Sequence, residues 1–157
     1  MRARTSIAIV AFLILILTNV RPVSASEPDF SARPITGKNQ FRTLSVAAGD
    51  IDGDGDLDIV TGNCRLPVGQ QNVVYLNDGA GNFDTPDNAP RNFGTGEDCT
   101  RSVAVGDMDG DGDLDIVTGN HIDDVGQQSM VYLNDGAGNF TTSRTFGTDW
   151  GFIQSVA

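Results

Sequence analysis

The chain has 157 residues, which is the size of one ordinary domain. Its 21 acidic residues outnumber its 10 basic ones, and the formal net charge of −11 argues against nucleic acid as a partner. Two stretches, DIDGDGDLD at 50–58 and DMDGDGDLD at 107–115, hold most of this excess. The acidity is therefore concentrated at two points, unlike that of a solvated acidic tail.

Residues 1–25 are predicted to be a signal peptide. Arg2 and Arg4 form a basic start, residues 7–17 form an uninterrupted apolar run, and small residues precede a cleavage site after Ala25. The run is shorter than the ~20 helical residues that span a bilayer, so a membrane anchor is the less favoured alternative. After a linker over 26–42, we expect an exported protein with no membrane span. It would be secreted, periplasmic or at the cell surface, where disulfides persist and calcium is abundant.

The remainder of the chain repeats itself. VAAGDIDGDGDLDIVTGN at 46–63 returns as VAVGDMDGDGDLDIVTGN at 103–120, and VVYLNDGAGNF at 73–83 returns as MVYLNDGAGNF at 130–140. A third copy begins at the end, because RNFGTGEDCTRSVA at 91–104 is echoed by RTFGTDWGFIQSVA at 144–157. We therefore assign a first repeat to 43–99, a second to 100–152 and the start of a truncated third to 153–157.

Each repeat is predicted to form four short strands. In the first repeat they cover 43–49, 57–61 and 73–77, with the fourth starting at Phe83; in the second they cover 100–106, 114–118 and 130–134, with the fourth starting at Phe140. The strands carry small or apolar residues on both faces, so each sheet needs cover on both sides. Face-to-face stacking supplies that cover. The predicted fold is all-β: a partial β-propeller of two four-stranded antiparallel blades plus the first strand of a third. A duplicated β-sandwich is the alternative.

The acidic stretches join strand one to strand two of each repeat and are predicted to bind a cation, because close carboxylates repel by ~1 kcal/mol per pair even in water. Positions 1, 3 and 5 supply carboxylates, a glycine at position 6 permits a sharp turn, position 7 offers its backbone carbonyl, and position 9 closes as a bidentate carboxylate. In the first loop the acidic positions are Asp50, Asp52, Asp54, Asp56 and Asp58; in the second they are Asp107, Asp109, Asp111, Asp113 and Asp115.

These all-oxygen sites favour a hard cation, and we predict two Ca²⁺ per chain, with weaker Mg²⁺ binding. An EF-hand is excluded because it needs flanking helices and a glutamate at position 12, where this chain has Thr61 or Thr118 within a predicted strand. An ion-free Asp/Gly turn is the remaining alternative. It accounts for the glycines but leaves the five charges unexplained.

These motifs resemble the FG-GAP and VCBS-type repeats of integrin-α-like β-propellers. The resemblance rests on the D-x-D-G-D-G-x-x-D loop, the YLNDGAGNF hairpin and the Phe-Gly pairs at 93–94 and 146–147, and it extends from about Thr43 to the end. It implies calcium in the loop between strands one and two. One departure is Thr-Gly-Asn at 61–63 and 118–120, where the family has Gly-Ala-Pro, so integrin ligand properties are not implied.

Cys64 and Cys99 are the two cysteines of the chain. Cys64 follows strand two and Cys99 precedes the next strand one, positions that emerge on the same side of an up-and-down blade. We predict a disulfide between them; two free thiols are the alternative, less expected in an exported protein.

The sequence predicts a binding module and not an enzyme. His121 lies in a loop without any nucleophile motif, and the aromatic residues Trp150 and Phe152 are expected to pack between blades, with contact to a sugar as the alternative. We expect recognition of a protein or glycan. A non-catalytic accessory segment of a larger secreted enzyme is the alternative function.

We also expect the chain to be a fragment of a longer protein, because a closed propeller has four to eight blades. Apolar residues such as Val131, Tyr132 or Leu133 are expected on the outer face of the second blade. Cover for that face would come from the remaining propeller blades or from self-association.

Overall fold

A computed structural model describes residues 42–121, 126–147 and 155–156. These ranges contain no helix and eight strands: β1 (Thr43–Gly49), β2 (Asp58–Asn63), β3 (Asn72–Tyr75), β4 (Arg91–Phe93), β5 (Thr100–Gly106), β6 (Asp115–Asn120), β7 (Ser129–Leu133) and β8 (Thr142–Phe146). The predicted signal peptide, nearly all of the linker, Trp150, Phe152 and most of the predicted third repeat lie outside the described residues.

The eight strands form two four-stranded antiparallel sheets in which sequence neighbours pair, in the orders β1-β2-β3-β4 and β5-β6-β7-β8. The repeated sequence gives repeated register: Val60 lies opposite Val74 in the first sheet, and Val117 lies opposite Val131 in the second. The predicted all-β fold with two four-stranded antiparallel units is confirmed. The two sheets are consistent with blades of a partial propeller and do not close into a ring.

The fourth strand of each sheet begins later than predicted. The expected starts were Phe83 and Phe140, whereas β4 begins at Arg91 and β8 at Thr142. In the first repeat, Pro86 and Pro90 lie in the intervening segment, and proline has no N–H to donate to a strand ladder. In the second repeat, Phe140 instead packs against Phe93, with 5.8 Å between the ring centroids.

The two sheets pack face to face around a shared apolar core. Phe93 at the end of β4 meets Tyr132 of β7 edge-on, with ring centroids 5.2 Å apart and planes at 73°. The buried members of this core are Ile51, Val60, Val74, Leu76, Phe93, Val103, Ile116 and Tyr132. The expectation that Tyr132 lies on the outer face of the second blade is therefore wrong. Both faces of β7 are apolar, so its sequence does not indicate which face meets the first sheet.

The two sheets approach each other closely where β5 lies against β2. A Cβ at Gly62 would lie 2.7 Å from Cγ2 of Thr100 and 2.9 Å from Cγ1 of Val103, so this position accepts no side chain without movement. Val103 itself is only 5% exposed, whereas its repeat counterpart Val46 in β1 is 59% exposed. Burial of this valine therefore depends on a preceding sheet.

At equivalent positions of the two repeats, a serine hydroxyl accepts a hydrogen bond from a backbone N–H that lies farther along the chain. The backbone N–H of Val103 donates to Oγ of Ser45 in β1, at 3.1 Å. The N–H of Val156 donates to Oγ of Ser102 in β5, at 3.0 Å. Val156 thus meets the second sheet through the bond that Val103 makes with the first, although Ser155 and Val156 are not in a strand.

Candidate metal centres

Both acidic loops lie at one end of the sheets. The first connects β1 to β2 and is closed by the pairing of Gly49 with Asp58; the second connects β5 to β6 and is closed by the pairing of Gly106 with Asp115. The hairpins that follow β3 and β7 lie at the same end. We define the first hairpin as residues 77–82 and the second hairpin as residues 134–139.

The glycines of each loop adopt backbone conformations that other residues avoid. Gly53 and Gly55 have φ of 76° and 95°, and Gly110 and Gly112 have φ of 87° and 100°. A Cβ at Gly55 or Gly112 would meet nothing within 4 Å, so a lack of room for a side chain is not the reason that these positions are glycine. The left-handed conformation itself requires them, and it allows the chain to turn tightly so that alternate carboxylates converge.

Three carboxylates converge in each loop. One oxygen from each member of the trio lies within 4.8 Å of the others, for Asp50, Asp52 and Asp54 in the first loop and for Asp107, Asp109 and Asp115 in the second. Together the two trios cover positions 1, 3, 5 and 9 of the predicted ligand set. These acidic clusters could hold a metal ion.

In the first loop, two buried carboxylate oxygens have no hydrogen-bonding partner. Oδ1 of Asp50 and Oδ1 of Asp52 are buried and accept no hydrogen bond. The second oxygen of Asp50 accepts the N–H of Gly55 at 3.1 Å, which orients the carboxylate within the loop. A buried, unpaired carboxylate oxygen is unfavourable, and a cation at this point would satisfy both. The residues present therefore fit a bound metal ion.

Asp58 and Asp115, at position 9, are fully buried. Each carboxylate links the start of its own strand to the acidic loop and to the hairpin of the same sheet. Oδ2 of Asp58 accepts the N–H of Ile51, and Oδ1 accepts the N–H of Asn77, both at 2.8 Å. Asp115 makes the equivalent bonds to Met108 and to Asn134. The sequence predicted only the ligand role, yet each oxygen already holds one amide, which leaves its second lone pair for a metal.

The acidic residue at position 7 uses its side chain elsewhere. A Cβ at Gly79 would lie 2.6 Å from Oδ2 of Asp56, and a Cβ at Gly136 would lie 2.6 Å from Oδ2 of Asp113. Both carboxylates thus lie against a hairpin glycine of their own sheet. The role of the backbone carbonyl of position 7 as a metal ligand stays a prediction.

The hairpins beside the loops are organised by their own aspartates. Oδ1 of Asp78 accepts the N–H groups of Ala80 and Asn82, and Asp135 accepts the equivalent bonds in the second hairpin. These hydrogen bonds, led by that from the Asn82 side chain, lower the pKa of Asp78 below its usual range. Asp78 and Asp135 are therefore turn formers.

Crowding has the opposite effect on the loop carboxylates. Burial, together with the charges of Asp54 and Asp58, raises the pKa of Asp52, and the charge of Arg91 offsets part of this effect. Desolvation and the neighbouring aspartates likewise raise the pKa of Asp109. The ionised forms of Asp52 and Asp109 are thus disfavoured, and a bound cation would favour them.

The two cysteines form a disulfide at the opposite end of the first sheet. Cys64 follows the last residue of β2, Cys99 precedes the first residue of β5, and the bond joins positions 35 residues apart. Both residues are buried. The disulfide therefore ties the first sheet to the connector that enters the second sheet, far from the acidic loops along the strands.

His121 has a structural partner: its backbone N–H donates to the carbonyl of Cys99 at 2.9 Å. No helix able to cross a membrane is present in the described part of the chain.

Comparison with known families identifies the repeats. The FG-GAP-like repeat family matches residues 66–118, and the FG-GAP repeat family matches residues 43–76. No curated protein and no solved structure matches the chain. The two family matches span both acidic loops, the first hairpin and the first Phe-Gly pair. Residues 43–118 therefore consist of FG-GAP repeats.

Proposed function

We propose that the protein is an exported, calcium-binding β-propeller module that serves in recognition or adhesion. The observation that carries the proposal is the repeated convergence of loop carboxylates, with buried and unpaired oxygens on Asp50 and Asp52. FG-GAP repeats often bind calcium, so the family membership supports the same reading of these loops.

Calcium is favoured by the chemistry of the donors. Each cluster consists of carboxylates, without histidine or thiolate, and both cysteines are committed to a disulfide. Hard cations prefer such oxygen donors. Magnesium requires near-ideal octahedral geometry and gives up its water reluctantly, whereas calcium accepts six to eight oxygens in flexible arrangements.

The proposed ligand set follows the loop positions. Carboxylates at positions 1, 3, 5 and 9 and the backbone carbonyl at position 7 would hold each ion. The first set is Asp50, Asp52, Asp54, Asp56 and Asp58, and the second is Asp107, Asp109, Asp111, Asp113 and Asp115. The ion supplies positive charge among crowded carboxylates. The loop backbone, held by Asp58 or Asp115, supplies the turn.

The recognition role rests on the family and on the position of the loops. FG-GAP repeats are typically non-catalytic and form propeller-like recognition or adhesion modules. Loops carried by a rigid scaffold are the usual place for binding residues. A protein or glycan is therefore the proposed partner, and calcium would hold one rim of the sheets in a fixed shape for it. The disulfide supports export, because such bonds persist in oxidising compartments.

Titration calorimetry of the purified protein tests the metal proposal. We expect calcium to bind at two sites, magnesium to bind far more weakly, and the melting temperature to rise with calcium. Asp50→Asn and Asp107→Asn should each leave one site. Asp78→Asn is the matched control, because it removes a charge at the same end of the sheets from a turn-forming residue. Absence of calcium binding would overturn the proposal, as would equal loss in the control.

The recognition proposal has its own test. The purified protein is applied to glycan arrays and to immobilised extracellular proteins, once with calcium and once with a chelator. Binding that requires calcium and is lost in Asp50→Asn or Asp107→Asn is the expected result. Turnover of a substrate, or binding unaffected by the chelator, would contradict the assignment.

A further inference from the structure

The two acidic loops have nearly the same sequence but different environments. Ile51 in the first loop is 1% exposed, whereas Met108, its counterpart, is 52% exposed. Asp50 and Asp52 are half-buried, whereas Asp107 and Asp109 are exposed. Sequence cannot account for this difference, because the aspartates and glycines of the two loops are the same.

The cover over the first loop comes from the other sheet. Nδ2 of Asn134, in the second hairpin, donates to the carbonyl of Ile51 at 2.6 Å. A Cβ at Gly138 would lie 3.7 Å from Cβ of Asp52 and 3.7 Å from Cγ2 of Ile51, so the hairpin backbone lies beside these two side chains. A Cβ at Gly53 would lie 3.8 Å from the carbonyl oxygen of Gly136. The second hairpin thus forms one wall of the first loop.

Arg91 holds this wall in place from the first sheet. Its Nη1 donates to the carbonyl of Ala137 and lies 3.4 Å from Oδ1 of Asn139. Arg91 belongs to β4, so the contact joins the last strand of one sheet to the hairpin of the next. Asn134 and Arg91 therefore fasten the second hairpin to the first sheet at two places around Ile51 and Asp52.

We propose that the first metal site is an inter-sheet site, in which the second hairpin, held by Asn134 and Arg91, positions the first loop for the cation. This proposal rests on calcium binding by the loops. Calcium at the first site and docking of the second sheet then stabilise each other, because a coupling between two equilibria is reciprocal. The second site has Met108 exposed where the first has Ile51 buried, and it binds more weakly because its loop is less constrained.

Two hairpin glycines give a matched pair of variants. Gly138 in the second hairpin and Gly81 in the first have φ of 74° and 77°, so the same substitution strains both backbones alike. A Cβ at Gly138 would lie 3.0 Å from Nη1 of Arg91, whereas a Cβ at Gly81 meets nothing within 4 Å. Gly138→Asn should therefore displace the Arg91 guanidinium that fastens the second hairpin to the first sheet, and Gly81→Asn should disturb only its own hairpin. Asparagine tolerates the left-handed conformation.

Each site is titrated alone. Calcium calorimetry in an Asp107→Asn background reports the first site, and calorimetry in an Asp50→Asn background reports the second. Gly138→Asn should weaken the first site by about five-fold or more, within the usual range of coupling between sites. Gly81→Asn should leave the second site unchanged. Equal affinities of the two sites, or equal effects of the two glycine variants, would overturn the proposal while leaving calcium binding intact.

A second measurement leaves both hairpins unaltered. Hydrogen exchange at the amide of Val103, which bonds to Ser45 across the sheets, reports docking of the second sheet. Calcium should slow this exchange in Asp107→Asn, which retains the first site, and not in Asp50→Asn, which retains the second. Slowing of the same size in both variants would overturn the coupling. Absence of calcium binding in every variant would instead overturn the proposed function, and the coupling with it.

Discussion

The buried carboxylate of Asp58 accepts a hydrogen bond from the backbone N–H of Asn77 at 2.8 Å and so joins the first acidic loop to the first hairpin. Its other oxygen holds the N–H of Ile51 within the loop. Asp115 repeats both bonds in the second sheet. The last carboxylate of each loop is therefore a structural link whether or not a metal is bound.

Replacement of Asp58 by alanine should destabilise the protein even without calcium. Asp58→Ala leaves two amides without partners at a fully buried position, and each buried unsatisfied group costs about 1–3 kcal/mol. We expect a loss of about 2 kcal/mol or more in the free energy of unfolding, measured by urea denaturation in a chelator. Asp54→Ala, at an exposed position of the same loop, should reduce only the calcium-dependent part of the stability. Equal effects in the chelator would contradict the structural role.

The sign of the effect of Asp52→Asn should depend on calcium. The pKa of Asp52 is raised above 3.8, so its ionised form destabilises the metal-free fold at neutral pH. Without calcium, Asp52→Asn should therefore be more stable than the wild type at pH 7, and the difference should vanish as the pH falls below 3.8. With calcium the order should reverse, because a ligand has been lost. Melting curves across pH, with and without calcium, measure both differences.

The control for this prediction is Asp78→Asn. The pKa of Asp78 is lowered, so its ionised form stabilises the fold above pH 3.8, and this contribution disappears as the pH falls through the lowered value. Asp78→Asn should thus be less stable than the wild type at pH 7, with or without calcium. A metal-free Asp52→Asn variant that behaves like Asp78→Asn would show that charge crowding does not govern the first loop.

Removal of the disulfide should lower stability without weakening calcium binding at the second site. The bond joins residues 35 positions apart, and in the loop-entropy model closure of such a loop contributes about 3–4 kcal/mol. Replacement of both Cys64 and Cys99 by serine should reduce the free energy of unfolding by this order in urea. Calcium affinity of the second site, measured in an Asp50→Asn background, should stay unchanged, because the bond lies at the other end of the strands. Peptide mapping under non-reducing conditions checks that the wild type is cross-linked.

Truncation of equivalent valines should reveal the contact between the sheets. Val103→Ala removes a side chain that is 5% exposed and should cost up to about 1.5–3 kcal/mol, the range for burial of an apolar side chain. Val46→Ala alters the same repeat position where the side chain is 59% exposed, and its effect should stay within about 0.5 kcal/mol. Thermal unfolding measures both. Similar losses would indicate that Val46 is also covered in solution.

The repeat made the architecture predictable from sequence. Near-identity of 46–63 and 103–120 predicted two equivalent units, and β1 and β5 lie at the predicted residues. Spacing also proposed a ligand set for each loop, and three carboxylates of each set lie close together. Local patterns are sufficient for these features, because strand alternation and loop geometry are determined within a few residues of the chain.

Features that depend on contact between units were not predictable. The side on which Tyr132 packs is decided by Phe93 of the other sheet, since both faces of β7 are apolar. The burial of Ile51 and the exposure of Met108 arise from the neighbouring hairpin and not from the loop sequences. The structural role of Asp58 was also missed, because its amide partner in the first hairpin is distant in sequence. The asparagine that follows the third strand of each repeat, Asn77 or Asn134, was the feature of the sequence that could have indicated this role.

The hydrogen bond from the N–H of Val103 to Oγ of Ser45 fixes the position of the second sheet along the strands of the first. A shift of β5 by two residues would keep its alternating side chains on the same faces, so apolar packing alone would tolerate such a slip. The hydroxyl of Ser45 accepts the N–H of a single residue, and the slip would break that bond. Ser102 offers the same hydroxyl to Val156, so the second sheet holds the segment that follows it at the equivalent position. An array built by this rule would keep its acidic loops level along one rim.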